Sequence, residues 1–217
     1  MKGTYLQTWS TLLRQRGFRW DLVITTAGLV TVLAGLANFL QWIERRPGVA
    51  VDDPVLMLFS PYDLTWLTFA VIYLGLLIGV VLLSREPPLL LIALQSYIVM
   101  VLIRMVAMSL VPLEPPPTMI PLADPTVEYF GTGTLLTKDL FFSGHTSTLF
   151  LLFLAARIRW QKVLFFVCVV VVAVCVLIQH VHYTIDVIAA PFFAYGAYRL
   201  VVLGRCPLTR WLYGTSL

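Results

Sequence analysis

The chain has 217 residues, of which 59% are apolar and only 12% charged, and its mean hydropathy is +0.89. Soluble domains run nearer about 45–50% apolar and about 25% charged, so the composition excludes a soluble globular domain, a disordered chain, a collagen-like chain and a disulfide scaffold. The apolar excess has to face lipid. At roughly 20 residues per crossing, the length holds about six spans and no separate soluble domain.

The N-terminal tail has no short apolar stretch with a cleavage site, so the first long apolar run is expected to act as the membrane signal. Six apolar segments follow, at 22–43, 64–83, 89–110, 140–156, 163–179 and 183–203. The third carries Arg104, the fourth His145, and the sixth Asp186 and Arg199. Lipid offers no partner to an unpaired backbone group, so each is expected to cross as a helix. The expected fold is all-α, a six-helix transmembrane bundle forming one membrane domain over 1–217. Cys168, Cys175 and Cys206 show no CxxC or metal spacing and read as packing residues.

Loop charge sets the orientation. Lys2, Arg14, Arg16, Arg19, Arg85, Arg157, Arg159, Lys162, Arg199, Arg205 and Arg210 fall on one side, against Arg45, Arg46 and Lys138 on the other. The net charge of +4 is therefore a topology signal rather than a nucleic-acid footprint. The rule predicts that both termini lie in the cytoplasm and that the first, third and fifth connections face outward. The third connection, 111–139, holds six of the thirteen prolines and carries Glu114, Asp124 and Glu128. Such a segment is extended and stiff, and serves either as a spacer or as a cap over an outward site.

All three histidines fall on the predicted outer face, although the orientation was derived from Lys and Arg alone. His145 opens the fourth span in the string Asp139-Leu-Phe-Phe-Ser143-Gly144-His145-Thr, and His180 and His182 lie between spans five and six, with Asp186 four residues after His182. Positions i and i+4 share a helix face. There the Asp186 carboxylate accepts the Nδ1 proton of His182 and leaves Nε2 as the nucleophile. An ionisable residue at the membrane edge suggests function by default; the plain alternative is that Asp186 caps its helix or pairs with Arg104. Ser143 and Gly144 beside a helix N-terminus suit an anion, with His145 placed to protonate a leaving oxygen. The plain alternative there is an ordinary cap. Arg104 either snorkels to the interface or faces the bundle to neutralise phosphate or Asp186, and Asp139 either caps the fourth span or tunes a histidine. A metal site built from these histidines lacks recognised spacing; no metal and no cofactor are expected.

These strings resemble the sphingomyelin synthase family within the wider type 2 phosphatidic acid phosphatase-like superfamily. The resemblance is carried by Asp139–Thr146, by His180-Val-His182-Tyr183-Thr-Ile-Asp186-Val, and by Arg104 ahead of a Pro-rich loop, and it extends over about 104–199. It implies a His145–His182–Asp186 triad at the exoplasmic face, with Arg104, Asp139, Ser143, Gly144, His180 and Tyr183 in substrate binding. It also implies transfer of a phospho-head group, phosphocholine or phosphoethanolamine, from a glycerophospholipid to a lipid hydroxyl such as ceramide or diacylglycerol through a phosphohistidine. Two superfamily signatures are missing: Phe39 stands where a Lys-x6-Arg-Pro block ending at Arg46-Pro47 needs Lys, and Cys175 and Val176 stand where Ser and Arg precede the His-x3-Asp motif. The cationic clamp for a phosphate monoester is thus absent, which favours a diester. The alternatives are a phospholipase C-like or lipid phosphate phosphatase hydrolase, and a non-enzymatic lipid-binding membrane protein. The expected partners are a phospholipid donor, a lipid-alcohol acceptor and the bilayer, with no nucleic acid. The expected location is a bacterial inner membrane or a Golgi or plasma membrane.

Overall fold

A computed structural model describes the backbone of residues 8–123 and 136–213, and side chains as far as residue 205. Lys2, Asp124 and Glu128, and the side chains of Cys206 and Arg210, lie outside the described residues. Seven helices are described: α1 (Trp9–Leu12), α2 (Arg16–Arg45), α3 (Thr65–Leu83), α4 (Pro87–Leu110), α5 (Gly144–Ala155), α6 (Arg159–Ile178) and α7 (Thr184–Tyr213). Among the described residues there is no β-strand, only an isolated parallel bridge between Val49 and Leu113.

α2, α3, α4, α6 and α7 are each long and apolar enough to cross a membrane. The fourth apolar segment differs from the expectation. Residues 140–143 are irregular, with a bend at Phe141 and Phe142, and the helix begins only at Gly144, so α5 has 12 residues, about 18 Å at 1.5 Å per residue, against about 30 Å of hydrocarbon. α5 is instead a central element, packed against α3, α4, α6 and α7. Non-helical backbone is tolerated at membrane depth only inside protein, and Leu140, Phe142 and Ser143 are all buried.

Packing follows side-chain size. Without a water-driven force between helices, spans associate through close van der Waals contact at small residues. Ala190, Ala194 and Ala197 form a fully buried ridge on α7 against Met100, Ala107 and Phe142. Gly75 and Gly79 of α3 admit Leu149 and Leu152 of α5, whose methyl carbons lie 2.9 and 2.8 Å from where a Cβ would stand. Cys175 is buried, and Cys168 packs against the same α3–α5–α6 core.

One end of the bundle carries an ordered layer of connections. Val49 N–H donates to Pro112 O at 2.9 Å and Glu114 N–H to Val49 O at 3.0 Å. Lys138 Nζ bonds Glu114 Oε1 at 2.7 Å and Arg46 O at 2.9 Å, while Glu44 accepts from the Thr137 and Lys138 N–H groups, each at 3.0 Å. The described parts of the Pro-rich connection are therefore bound down over this end. At the opposite end Arg205 pairs with Asp21 and donates to Gln95 Oε1 at 2.7 Å, joining α7, α2 and α4.

Candidate active site

The turn between α6 and α7 presents the second histidine block. Val181 N–H donates to Val176 O and His180 N–H to Leu177 O, both at 2.9 Å. This paired closure ends a helix with one left-handed residue, usually glycine. His180 occupies that position with φ 55°, which a side chain tolerates at a cost. Its Nδ1 lies 2.6 Å from Thr118 Oγ1, and Phe59 meets the ring edge-on at 5.2 Å between centroids. Burial holds the imidazole below the usual histidine range, countered in part by the Asp53 carboxylate.

His182 is not on the helix, contrary to the expectation of an i, i+4 face. It lies two residues before α7, and Tyr183 stands at the position just ahead of the helix. Asp186, at the third helical position, folds back: its Oδ2 accepts the Tyr183 N–H at 3.1 Å and stands 3.5 Å from His182 Nδ1. That is ion-pair distance, longer than a formed hydrogen bond; catalytic hydrogen bonds are often long before substrate is bound. The cap and the histidine partner are thus the same oxygen. His182 and Asp186 are 1% and 0% exposed.

The first block faces the second. Ser143 caps α5, its Oγ accepting from Thr146 N–H at 3.4 Å and donating to Thr146 Oγ1 at 3.1 Å. His145 sits in the first turn of α5, where backbone N–H groups are left over and the dipole is positive. Its ring centroid is 6.4 Å from that of His182 and 6.3 Å from Phe69. A backbone bond ties the blocks directly, Ser143 N–H donating to Asp186 O at 3.2 Å.

Arg104, 5% exposed, neither snorkels nor pairs with Asp186. Its Nη2 pairs with Asp139 Oδ1 at 2.7 Å and lies 3.3 Å from Asp139 O, and its Nε donates to Phe142 O at 2.7 Å. The guanidinium satisfies the Asp139 and Phe142 carbonyls of the irregular segment that feeds α5, and Asp139 is its counter-ion. A Cβ on Gly144 would stand 3.0 Å from Arg104 Cζ, so only glycine lets the first turn of α5 close onto the guanidinium unhindered.

Tyr183 is 1% exposed; its hydroxyl donates to Glu114 O at 2.9 Å and accepts from Val51 N–H at 3.2 Å. His180 and Tyr183 line a cavity of about 330 Å³ with Asp53, Phe59 and Thr118; the triad residues are not among its lining. Among the described residues no group of three or more His, Cys, Asp or Glu side chains is arranged to hold a metal ion.

Two contributors escaped the sequence reading. Buried Gln179 accepts the Leu64 N–H at 3.1 Å and donates to Thr65 Oγ1 at 2.9 Å, fastening the start of α3 to the end of α6. Asp53 receives the Thr184 N–H at 2.6 Å and the Thr184 hydroxyl at 3.1 Å, at the start of α7. Burial pushes its carboxyl up, but bonds from Thr184, Val55 and Leu56 outweigh this and hold it below the usual carboxylate range. The Asp53-Pro54 dipeptide signals a turn, but nothing local names Thr184 as its partner.

No curated protein and no solved structure matches the chain. Residues 138–202, from Lys138 through α5, α6 and most of α7, match the family model described as PAP2 superfamily C-terminal. This segment contains His145, His182 and Asp186. The match covers less than a third of the chain and is a likeness to the type 2 phosphatidic acid phosphatase-like superfamily, whose members carry out chemistry of the lipid phosphatase and phosphotransferase type.

Proposed function

We propose that the protein is a lipid phosphotransferase that moves a phospho-head group, phosphocholine or phosphoethanolamine, from a glycerophospholipid to a lipid hydroxyl. The observation that carries the reading is the pairing of two histidines from separate blocks across 6.4 Å, one of them backed by a buried carboxylate. Asp186 orients His182 and stabilises the imidazolium that forms. His182 Nε2 attacks phosphorus; the P–N bond forms as the P–O bond to the diacylglycerol oxygen breaks, and protonated His145 delivers its proton to that oxygen. In the second half His145 takes the proton of the incoming hydroxyl, whose oxygen displaces His182 from phosphorus. The N–H groups at the start of α5 and the charge of Arg104 behind Gly144 face the developing anionic charge.

The missing Lys-x6-Arg-Pro and Ser-Arg signatures favour a diester over a monoester, because a diester carries less negative charge to neutralise. The charge bias of the connections favours an outward or lumenal site: Arg85, Arg157, Arg159 and Lys162 all lie at the end away from the histidines.

The test uses detergent-purified protein with head-group-labelled phosphatidylcholine or phosphatidylethanolamine, with and without ceramide or diacylglycerol. Label is expected on the added acceptor, and His182→Ala abolishes it. His145→Ala is expected to cost about 10²–10⁴-fold in kcat; a diester with a nitrophenol leaving group, which needs no proton, restores the first half-reaction, read as a burst of nitrophenolate, while transfer to the acceptor, for which His145 is the base, stays slow; the same substrate gives no burst with His182→Ala. Label released to water whatever the acceptor makes the protein a phospholipase C-like hydrolase. Phosphate released from phosphatidic acid alone, or lipid binding that survives His182→Ala without turnover, sinks the transferase reading.

A further inference from the structure

The start of α7 has more donors than its own residues satisfy. An ordinary capping box pairs two local side chains, the N-cap side chain and the third helical residue. Here the cap residue is Tyr183, whose hydroxyl is bound to Glu114 and Val51, far from its own helix start. Asp186 performs one half of the box by taking the Tyr183 N–H. The Thr184 N–H and hydroxyl go to Asp53, a residue 131 positions earlier in the α2–α3 connection.

We propose that Asp53 is a positioning residue for the candidate site, a cap supplied from another connection that leaves the Asp186 carboxylate to His182. The inference rests on the reading of His182 and Asp186 as the reacting pair. Asp186 Oδ1 has no hydrogen-bond partner among the described residues. If Asp53 is removed, the freed Thr184 N–H lies within one turn of that oxygen and competes for it, rotating the carboxylate away from His182 Nδ1. Asp53 is itself held: its Oδ1 accepts the Val55 and Leu56 N–H groups at 2.9 and 3.4 Å, and the residue is 9% exposed. Its two oxygens thus serve two helix starts at once, the turn at Leu56–Leu58 and α7. An amide has one acceptor oxygen and faces the other donors with an NH₂ group, so asparagine does not replace it.

The experiment records imidazole ¹⁵N resonances of the full chain labelled at histidine, in detergent, with the His182 signals assigned by His182→Ala. Asp53→Ala and Asp53→Asn are expected to shift the His182 signals, and Asp53→Glu, which keeps both oxygens, to return them part of the way. Thr184→Val, which removes only the hydroxyl donor, shifts them less in the same direction and serves if Asp53→Ala does not fold. Unchanged His182 signals in a folded Asp53→Ala, or in Thr184→Val where Asp53→Ala fails to fold, overturn the inference. In turnover, Asp53→Ala is expected to lower kcat on the order of a hundredfold with the KM for lipid within about twofold; a loss confined to KM also overturns it. If the wild type turns over no lipid phosphoester, the proposed function fails while the imidazole signals still decide the role of Asp53.

Discussion

His180 shows how one residue carries a structural cost and a pH dependence together. It holds a left-handed position that glycine or asparagine occupies more cheaply, and burial keeps its imidazole neutral below the usual histidine range. The unfolded chain takes up a proton near pH 6.5, the folded protein only at lower pH. The unfolded state therefore binds more protons in that interval, and stability falls as pH drops through about 6.5, levelling off below the folded value. His180→Asn keeps a residue that tolerates φ 55° and removes the titration. Its thermal midpoint in detergent is expected to fall less than the wild type's between pH 7.5 and 5.5; equal losses contradict the assignment. His182 and Asp186 teach a different point. The four-residue spacing promised a shared helix face, yet His182 precedes the helix, and the pair meets because Asp186 reaches back to the Tyr183 N–H.

At the scale of elements, the sequence marks apolar segments well and their ends less well. The helix of the fourth segment starts at Gly144 because Ser143 caps it and because Arg104 satisfies the Asp139 and Phe142 carbonyls, so the preceding residues need no helical partner. The Pro-rich connection was open between spacer and cap; Glu114, Lys138 and Glu44 fasten its described parts and the segment before α5 to the end of α2. Gly48 is the tightest point of this layer, where a Cβ would stand 2.6 Å from the Leu113 carbonyl carbon. Backbone cannot rotate aside as a side chain does, so Gly48→Ala is expected to cost about 1–3 kcal/mol and to speed proteolysis of the 111–139 connection. Gly35→Ala, where nothing lies within 4 Å of the added carbon, is the control and leaves proteolysis unchanged. Cleavage at the same rate in both variants refutes the close approach.

For the whole molecule, the side of the membrane is a prediction of charge alone. Both histidine blocks share one end of the bundle with Lys138 and Glu114, and the greater number of basic residues lies at the other. Cysteines introduced singly at Thr118 and at Arg157, in a chain with its own cysteines replaced, are expected to react with a membrane-impermeant thiol reagent only from outside and only after lysis, respectively. The reverse pattern inverts the topology. Composition by itself determined that this chain lives in lipid, and the resemblance carried by the two histidine blocks pointed to phosphoryl chemistry, because hydropathy and residue type are local properties. The tertiary structure alone decided that α5 is a short central helix, that Arg104 pairs with Asp139, and that Asp53 caps α7. Each of these depends on which buried backbone groups lack a partner once the helices have packed, and no pattern along the chain encodes that balance.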